Sequence, residues 1–115
     1  MGAFASLLIT DARSHGSYRL RFSSLVSKML DGVDYVYLHK DEKRGFILVT
    51  PIREKWREDD PSAFHLHTNG NAKYISMNRL LLHEGFLRKE MFGKRYKVKY
   101  DRYGRLYIFL NEVVK

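Results

Sequence analysis

The side chains of this sequence that are able to do chemistry are two closely spaced histidines and a large excess of basic residues. His65 and His67 are separated by a single residue, Leu66, so a strand through them would place both imidazoles on one face. Two such imidazoles can coordinate a metal ion, with Asp59, Asp60 or His83 as a third ligand. The alternative is a pair of surface histidines, which we favour because no third ligand is fixed by its spacing. The sequence therefore predicts neither a metal site nor a bound cofactor.

The basic residues point to a partner or to a solvated face. Lys and Arg outnumber Asp and Glu by 21 to 13, which gives a net charge of +8. The excess is densest between residues 88 and 105, and a stretch of this kind is typical of either a polyanion partner or a soluble surface. The candidate nucleic-acid-binding residues are Arg13, Arg19, Arg21, Lys73, Arg79, Lys94, Arg95, Lys97 and Lys99.

Tyrosines lie near these cations in two stretches of the sequence, residues 35–37 and residues 96–107. Aromatic side chains beside Lys and Arg can form a platform on which the bases of a single strand stack. The alternative is that the rings fill and cover a small β core, which we favour because the alternation places most of them among Val, Leu and Ile. The tyrosines concerned are Tyr35, Tyr37, Tyr96, Tyr100, Tyr103 and Tyr107.

No catalytic motif is present in the sequence. There is no Cys, and hence no disulfide, thiolate nucleophile or Cys-ligated metal site. Phosphate-binding glycine loops, metalloprotease helices and nucleophile elbows are also missing from the sequence. No apolar run approaches the length that crosses a bilayer. We therefore expect a cytoplasmic protein that is not an enzyme and has no membrane partner.

The elements that position these residues occur twice. Residues 16–50 and 72–110 each contain an alternating strand, a capped short helix, a glycine and two β-rich runs joined by a turn. We predict a mostly β (α+β) fold, in which two tandem hairpin–short helix–hairpin units form one pseudo-twofold, barrel-like domain. The matched pairs include Leu20 with Ile75, Leu25 with Leu80, Gly45 with Gly104, Ile47 with Leu106 and Val49 with Ile108.

The charged stretch between the copies sets the predicted boundaries. Residues 1–52 form the first unit, residues 53–62 a linker, and residues 63–115 the second unit. Trp56 is the only large apolar residue of the linker, and we expect it to pack over the seam between the halves. If the two halves are related by a twofold axis, Lys73 and Arg79 should occupy places that match those of Arg19 and Arg21.

This repeated order resembles the MraZ/AbrB-like (SpoVT-AbrB) family. The resemblance rests on residues 18–22, 32–38 and 45–51 of the first copy and on residues 74–77 and 96–110 of the second. MraZ-like proteins carry two such units in tandem, whereas AbrB-like proteins carry one and dimerise by swapping hairpins. The resemblance implies a divergent tandem-repeat member that binds DNA.

The sequence departs from the family at the turn associated with DNA contact. Asp11 and His15 occupy the ends of an acidic-x-x-x-Arg spacing, and the nearby Arg13 is displaced from it. In the second copy, Asn69 and Lys73 stand where Asp and Arg would be. A divergent member can keep the scaffold and turn its surface to another partner, since fold does not fix function.

The leading interpretation is a small, basic, DNA-binding transcription regulator that contacts the phosphates of duplex DNA, with a homo-oligomer as a further option. The second is a non-enzymatic protein-interaction module, such as an inhibitor from a mobile element, that uses its basic face. The third is an RNA- or single-strand-binding domain that uses the tyrosines.

Overall fold

The chain folds into a single sheet of short strands. The computed structural model describes residues 3–10, 17–77 and 89–114. Within these ranges there is one α-helix, α1 (Ser24–Met29), and there are two 3-10 helices, Lys55–Asp59 and Lys89–Met91. The strands are β1 (Phe4–Thr10), β2 (Ser17–Phe22), β3 (Tyr35–Asp41), β4 (Phe46–Ile52), β5 (Phe64–His65), β6 (His67–Asn69), β7 (Ala72–Ser76), β8 (Lys94–Tyr100) and β9 (Leu106–Val114).

Local sequence explains why the first of these elements form where they do. In β2, Leu20 and Phe22 are fully buried whereas Arg21 is exposed, as the alternation of side chains predicts. Ser23 caps the N-terminus of α1, because its Oγ accepts a hydrogen bond from the backbone N–H of Val26 at 3.4 Å. The second helix predicted from the sequence falls in residues 78–88, which lie outside the described residues.

The strands form one antiparallel sheet that nearly closes into a barrel. Their order is β5-β3-β4-β9-β8-β1-β2-β7-β6. The two outermost strands, β5 and β6, are consecutive in the chain and are separated only by Leu66. The two ends of the sheet are thus joined covalently, so the predicted barrel-like, mostly β fold is confirmed.

Two strand pairs show where the pseudo-twofold axis lies. In the β2–β7 pair, Leu20 is opposite Ile75, the residue to which the sequence repeat matches it. In the β4–β9 pair, Leu48 is opposite Tyr107, and the repeat also matches these two positions. A residue can lie opposite its own counterpart only on a twofold axis, so the axis passes through both pairs.

The two units share one core. β1 pairs with β2 of its own unit and with β8 of the other, and β3 pairs with β4 and with β5 in the same manner. The side chains that point inward from these strands merge into a single apolar cluster. Its fully buried members include Leu7, Leu20, Phe22, Leu30, Val36, Ile47, Val49, Met77, Leu106 and Ile108.

The expectation for Trp56, in the segment between the units, is wrong. Trp56 is 73% exposed, because its ring lies on the surface beneath the guanidinium of Arg57 at 4.9 Å while strand residues fill the seam. Pro51 lies inside β4 opposite Val36, and the strand continues to Ile52. Within the described residues, no helix has the length and apolar character needed to cross a membrane.

Candidate functional site

The outer face of strands β8, β1 and β2 carries the main concentration of basic side chains. Cross-strand register places Ser6 of β1 between Arg21 of β2 and Arg95 of β8. Side chains directly opposite each other in an antiparallel pair lie on the same face of the sheet. Two arginines from opposite ends of the sequence therefore flank one small, nearly buried serine.

These side chains line a groove of about 690 Å³ on the outside of the barrel. Lys94, the first residue of β8, joins Arg21 and Arg95 there. The start of β8 is held against β1 by a hydrogen bond of 2.6 Å from the N–H of Gly93 to the carbonyl of Leu7. Among the described residues that line the groove, none is acidic, and the others include Phe4, Leu8, Ser23, Ser24, Gly70 and Asn71. We call this feature the basic groove.

Unlike Arg105 and Lys97, the cations of the basic groove have no carboxylate partner among the described residues. Arg105 contacts Asp101 at 2.8 Å, and Lys97 lies 3.9 Å from Glu112. Within the part of the chain that the structure describes, Arg21, Lys94 and Arg95 have no such ion pair. Exposed charges that are not neutralised locally remain available to an anion.

Arg19 lies on the same outer face but is held by a neighbour. Its guanidinium stacks over the ring of Tyr74 at 4.2 Å, and the residue is half-buried. Of the two β2 arginines, Arg21 is therefore the one free to reach a ligand, while Arg19 also packs against the sheet. The sequence predicted the direction of both side chains, but the contact with Tyr74 depends on a partner far away in sequence.

The remaining predicted basic residues do not all converge on the basic groove. Lys97 is on the outer face opposite Phe4, and Lys99 lies farther along β8 with its ammonium 5.7 Å from the ring of Phe109. Lys73 lines a separate hollow beside Ser27, and its backbone N–H donates to Ser27 Oγ at 2.9 Å. Arg13 and Arg79 are outside the described residues.

The expected repetition of basic residues by the pseudo-twofold axis is not found. Because Leu20 and Ile75 lie on the axis, the counterpart of Arg19 is Tyr74 and that of Arg21 is Ser76. Lys73 consequently matches neither arginine. The repeat match is confirmed for the apolar strand positions Leu20, Ile47 and Val49, and the pair Leu25/Leu80 lies partly outside the described residues.

The counterpart of the basic groove is lined by histidine. β5 and β6 correspond to β1, and register makes His65 the counterpart of Ser6 and His67 that of Leu8. Tyr35, opposite His65, takes the place of Arg95. The two halves of the barrel thus present the same backbone geometry with different chemistry.

The two histidines are in direct contact and are flanked by aromatic rings. His65 Nδ1 is 3.4 Å from His67 Nε2, and the His67 ring stacks on Tyr74 with centroids 5.1 Å apart. Burial lowers the pKa of His67, and the nearby His65 and Arg19 lower this pKa further. The ring of His67 is therefore biased toward the neutral form near pH 7. Within the described ranges, no group of three or more His, Asp or Glu side chains is placed to hold a metal ion.

The tyrosines divide between core and surface. Tyr96 is buried as predicted, and its hydroxyl donates to the carbonyl of Met91 at 2.6 Å. Tyr100 and Tyr103 are 62% and 67% exposed, because β8 ends at Tyr100, beyond the core. The alternation that groups Tyr100 with Tyr96 is thus misleading at the end of the strand.

Comparison of the chain with protein-family models, with curated proteins and with solved structures finds no match.

Proposed function

We propose that this protein is a small DNA-binding regulator that contacts the phosphate backbone of duplex DNA through the basic groove. The observation that carries the proposal is the convergence of Arg21, Lys94 and Arg95 on one groove without an acidic residue among its described lining residues. Guanidinium and ammonium groups contact phosphate oxygens independently of base sequence. The resemblance of the repeated units to the MraZ/AbrB-like family supports the same function.

The position of the groove also fits a contact with a double helix. The groove opens on the same outer face as Arg19 and is next to Lys97, so the basic surface extends over β8, β1 and β2. Since the counterpart surface carries Ser76 and Tyr35 in the places of Arg21 and Arg95, the contact is one-sided. We infer that one chain holds the backbone on one side of the duplex, without using the pseudo-twofold axis of the barrel.

The test is a fluorescence anisotropy titration of a labelled, mixed-sequence duplex at salt concentrations between about 50 and 200 mM. The variant Arg21→Ala/Arg95→Ala should lower the slope of log K against log salt by about two units, because two phosphate contacts are lost. Both side chains are exposed, so circular dichroism and thermal unfolding should show an intact fold.

The matched control is Lys43→Ala/Lys55→Ala, which removes the same charge from exposed positions away from the groove. Its salt slope should stay close to that of the unmodified protein. Equal losses in the two variants would show that only net charge matters and would contradict the basic groove as the site. No binding to duplex DNA even at the lowest salt would contradict the DNA proposal and would favour an acidic protein partner.

A further inference from the structure

The two histidines of the counterpart surface lie on either side of one buried residue, and both point outward. His65 is the last residue of β5 and His67 the first residue of β6, and the buried Leu66 between them points inward. The N–H of Leu66 donates to the carbonyl of Asp34 at 2.7 Å, which fixes the backbone between the two strands. Both imidazoles are consequently presented on the outside of the barrel by a fixed segment.

The distance between the two nitrogens matches a shared ligand. If two imidazole nitrogens each lie about 2.1 Å from a metal ion, a separation of 3.4 Å corresponds to an angle of about 110° at the metal, which is the tetrahedral value. The ring planes are 85° apart, so a rotation of the imidazoles about their side-chain bonds is needed to turn both lone pairs toward one point. This rotation also moves the two nitrogens, so 3.4 Å is the separation from which the pair closes on an ion.

Neighbouring rings limit the motion of both histidines. His67 lies parallel to Tyr74 with an interplanar angle of 21°, and the ring of His65 is 5.0 Å from that of Tyr35. The rotation that directs both lone pairs toward one ion disturbs these ring contacts, which lowers the affinity. The guanidinium of Arg19 on the far side of Tyr74 repels a cation and limits the affinity.

We propose that His65 and His67 form a two-histidine binding site for a late first-row divalent ion, such as Zn²⁺, Co²⁺, Ni²⁺ or Cu²⁺. Neutral imidazole is a preferred ligand of these ions, whereas Mg²⁺ and Ca²⁺ require oxygen ligands. Since no third protein ligand is in place within the described ranges, water completes the coordination and the affinity is micromolar or weaker. This site does not depend on the DNA-binding function.

The test uses the full chain without a histidine tag, titrated with Ni²⁺ and with Zn²⁺ by calorimetry near neutral pH. One equivalent of metal should bind, and His65→Ala or His67→Ala should each weaken binding by about 100-fold or more, because the advantage of two linked ligands is lost. The matched control is His39→Ala, an exposed histidine of β3 outside the pair, which should bind as the unmodified protein does. Binding should also weaken at about pH 5.5, because protons compete with metal ions for imidazole nitrogens.

A second measurement does not require a variant to fold. In imidazole NMR spectra of the unmodified protein, the signals of His65 and His67 should shift together as Zn²⁺ is added, and those of His39 should not. Unchanged signals of the pair, or a metal affinity of the His65→Ala and His67→Ala variants that equals that of the unmodified protein, would overturn the proposal.

Discussion

At the scale of single residues, one carboxylate organises the turn between β8 and β9. Asp101 accepts hydrogen bonds from the backbone N–H groups of Tyr103 and Arg105 through Oδ1, and from Arg105 Nε and the Tyr107 hydroxyl through Oδ2, all between 2.8 and 3.0 Å. Desolvation acts to raise the pKa of Asp101, but these hydrogen bonds together outweigh it and leave the pKa lowered.

A lowered pKa makes the stabilising effect of Asp101 depend on pH. The charged carboxylate stabilises the fold above the ordinary Asp value of about 3.9, and this stabilisation is lost as the pH falls through the lower pKa of the folded state. Asp101→Asn should therefore lower Tm most near neutral pH, and the difference from the unmodified protein should shrink below about pH 4. Thermal unfolding followed by circular dichroism checks this, and a difference that stays constant down to pH 3 would contradict it.

A second residue-scale prediction concerns the core of β9. Ile108 is fully buried opposite Ile47, close to the pseudo-twofold axis. Ile108→Ala should lower the free energy of unfolding by about 2–4 kcal/mol, because it removes apolar contacts and leaves a cavity. Val113 in the same strand is 48% exposed, so Val113→Ala should cost less than about 0.5 kcal/mol in the same urea titration. A cost below about 1 kcal/mol for Ile108→Ala would show that the site collapses without loss.

At the scale of elements, the β3–β4 and β8–β9 hairpins both have a glycine with a positive φ angle in their turns. Gly45 and Gly104 occupy matching places before β4 and β9 and have φ angles of 72° and 79°. A side chain in this region strains the backbone, so Gly104→Ala should lower the free energy of unfolding by about 1–2 kcal/mol. A Cβ at Gly104 would meet only Arg53 Nη2, at 3.9 Å, so the variant measures backbone strain alone. A neutral or stabilising effect in chemical unfolding would contradict this assignment.

The strands themselves were predictable because alternation and turn residues are local signals. The alternation of β2 and the cap of the short helix that follows it are both visible in the sequence. The break at Leu66 was not predictable, because there the chain exchanges one partner strand, β3, for another, β7. Such an exchange is a property of the closed sheet and leaves no mark on the local pattern.

The basic groove shows the same limit at the level of the site. The density of basic residues in the sequence indicates residues 88–105 as a binding stretch, and the alternation of β2 predicts that Arg21 points outward. Which of the many cations would meet was decided by the register of β1 with β2 and β8, which brings Arg21 and Arg95 to either side of Ser6. Register between distant strands is set by the packing of the whole core, so charge density alone could not separate Lys94 from Lys99.

At the scale of the whole molecule, neither unit can complete its sheet alone. A fragment ending at Ser62 lacks β5, β7, β8 and β9, which are partners of β3, β2, β1 and β4 respectively. We expect this fragment to be unfolded as a monomer and to fold only if a second copy supplies the missing strands. Circular dichroism and sedimentation at several concentrations, with the full chain as control, check this. A folded monomeric fragment would contradict the shared core.

The pairing of β1 with β8 also has a consequence for how the protein is made. Phe4 pairs with Lys97 and Leu7 with Lys94, so β1 leaves the ribosome well before its second neighbour, β8, has been synthesised. Contacts between such distant positions slow folding, because a long loop must close before they form. Until then one edge of β1 stays unpaired, and a growing chain with an open strand edge is a natural client for a chaperone.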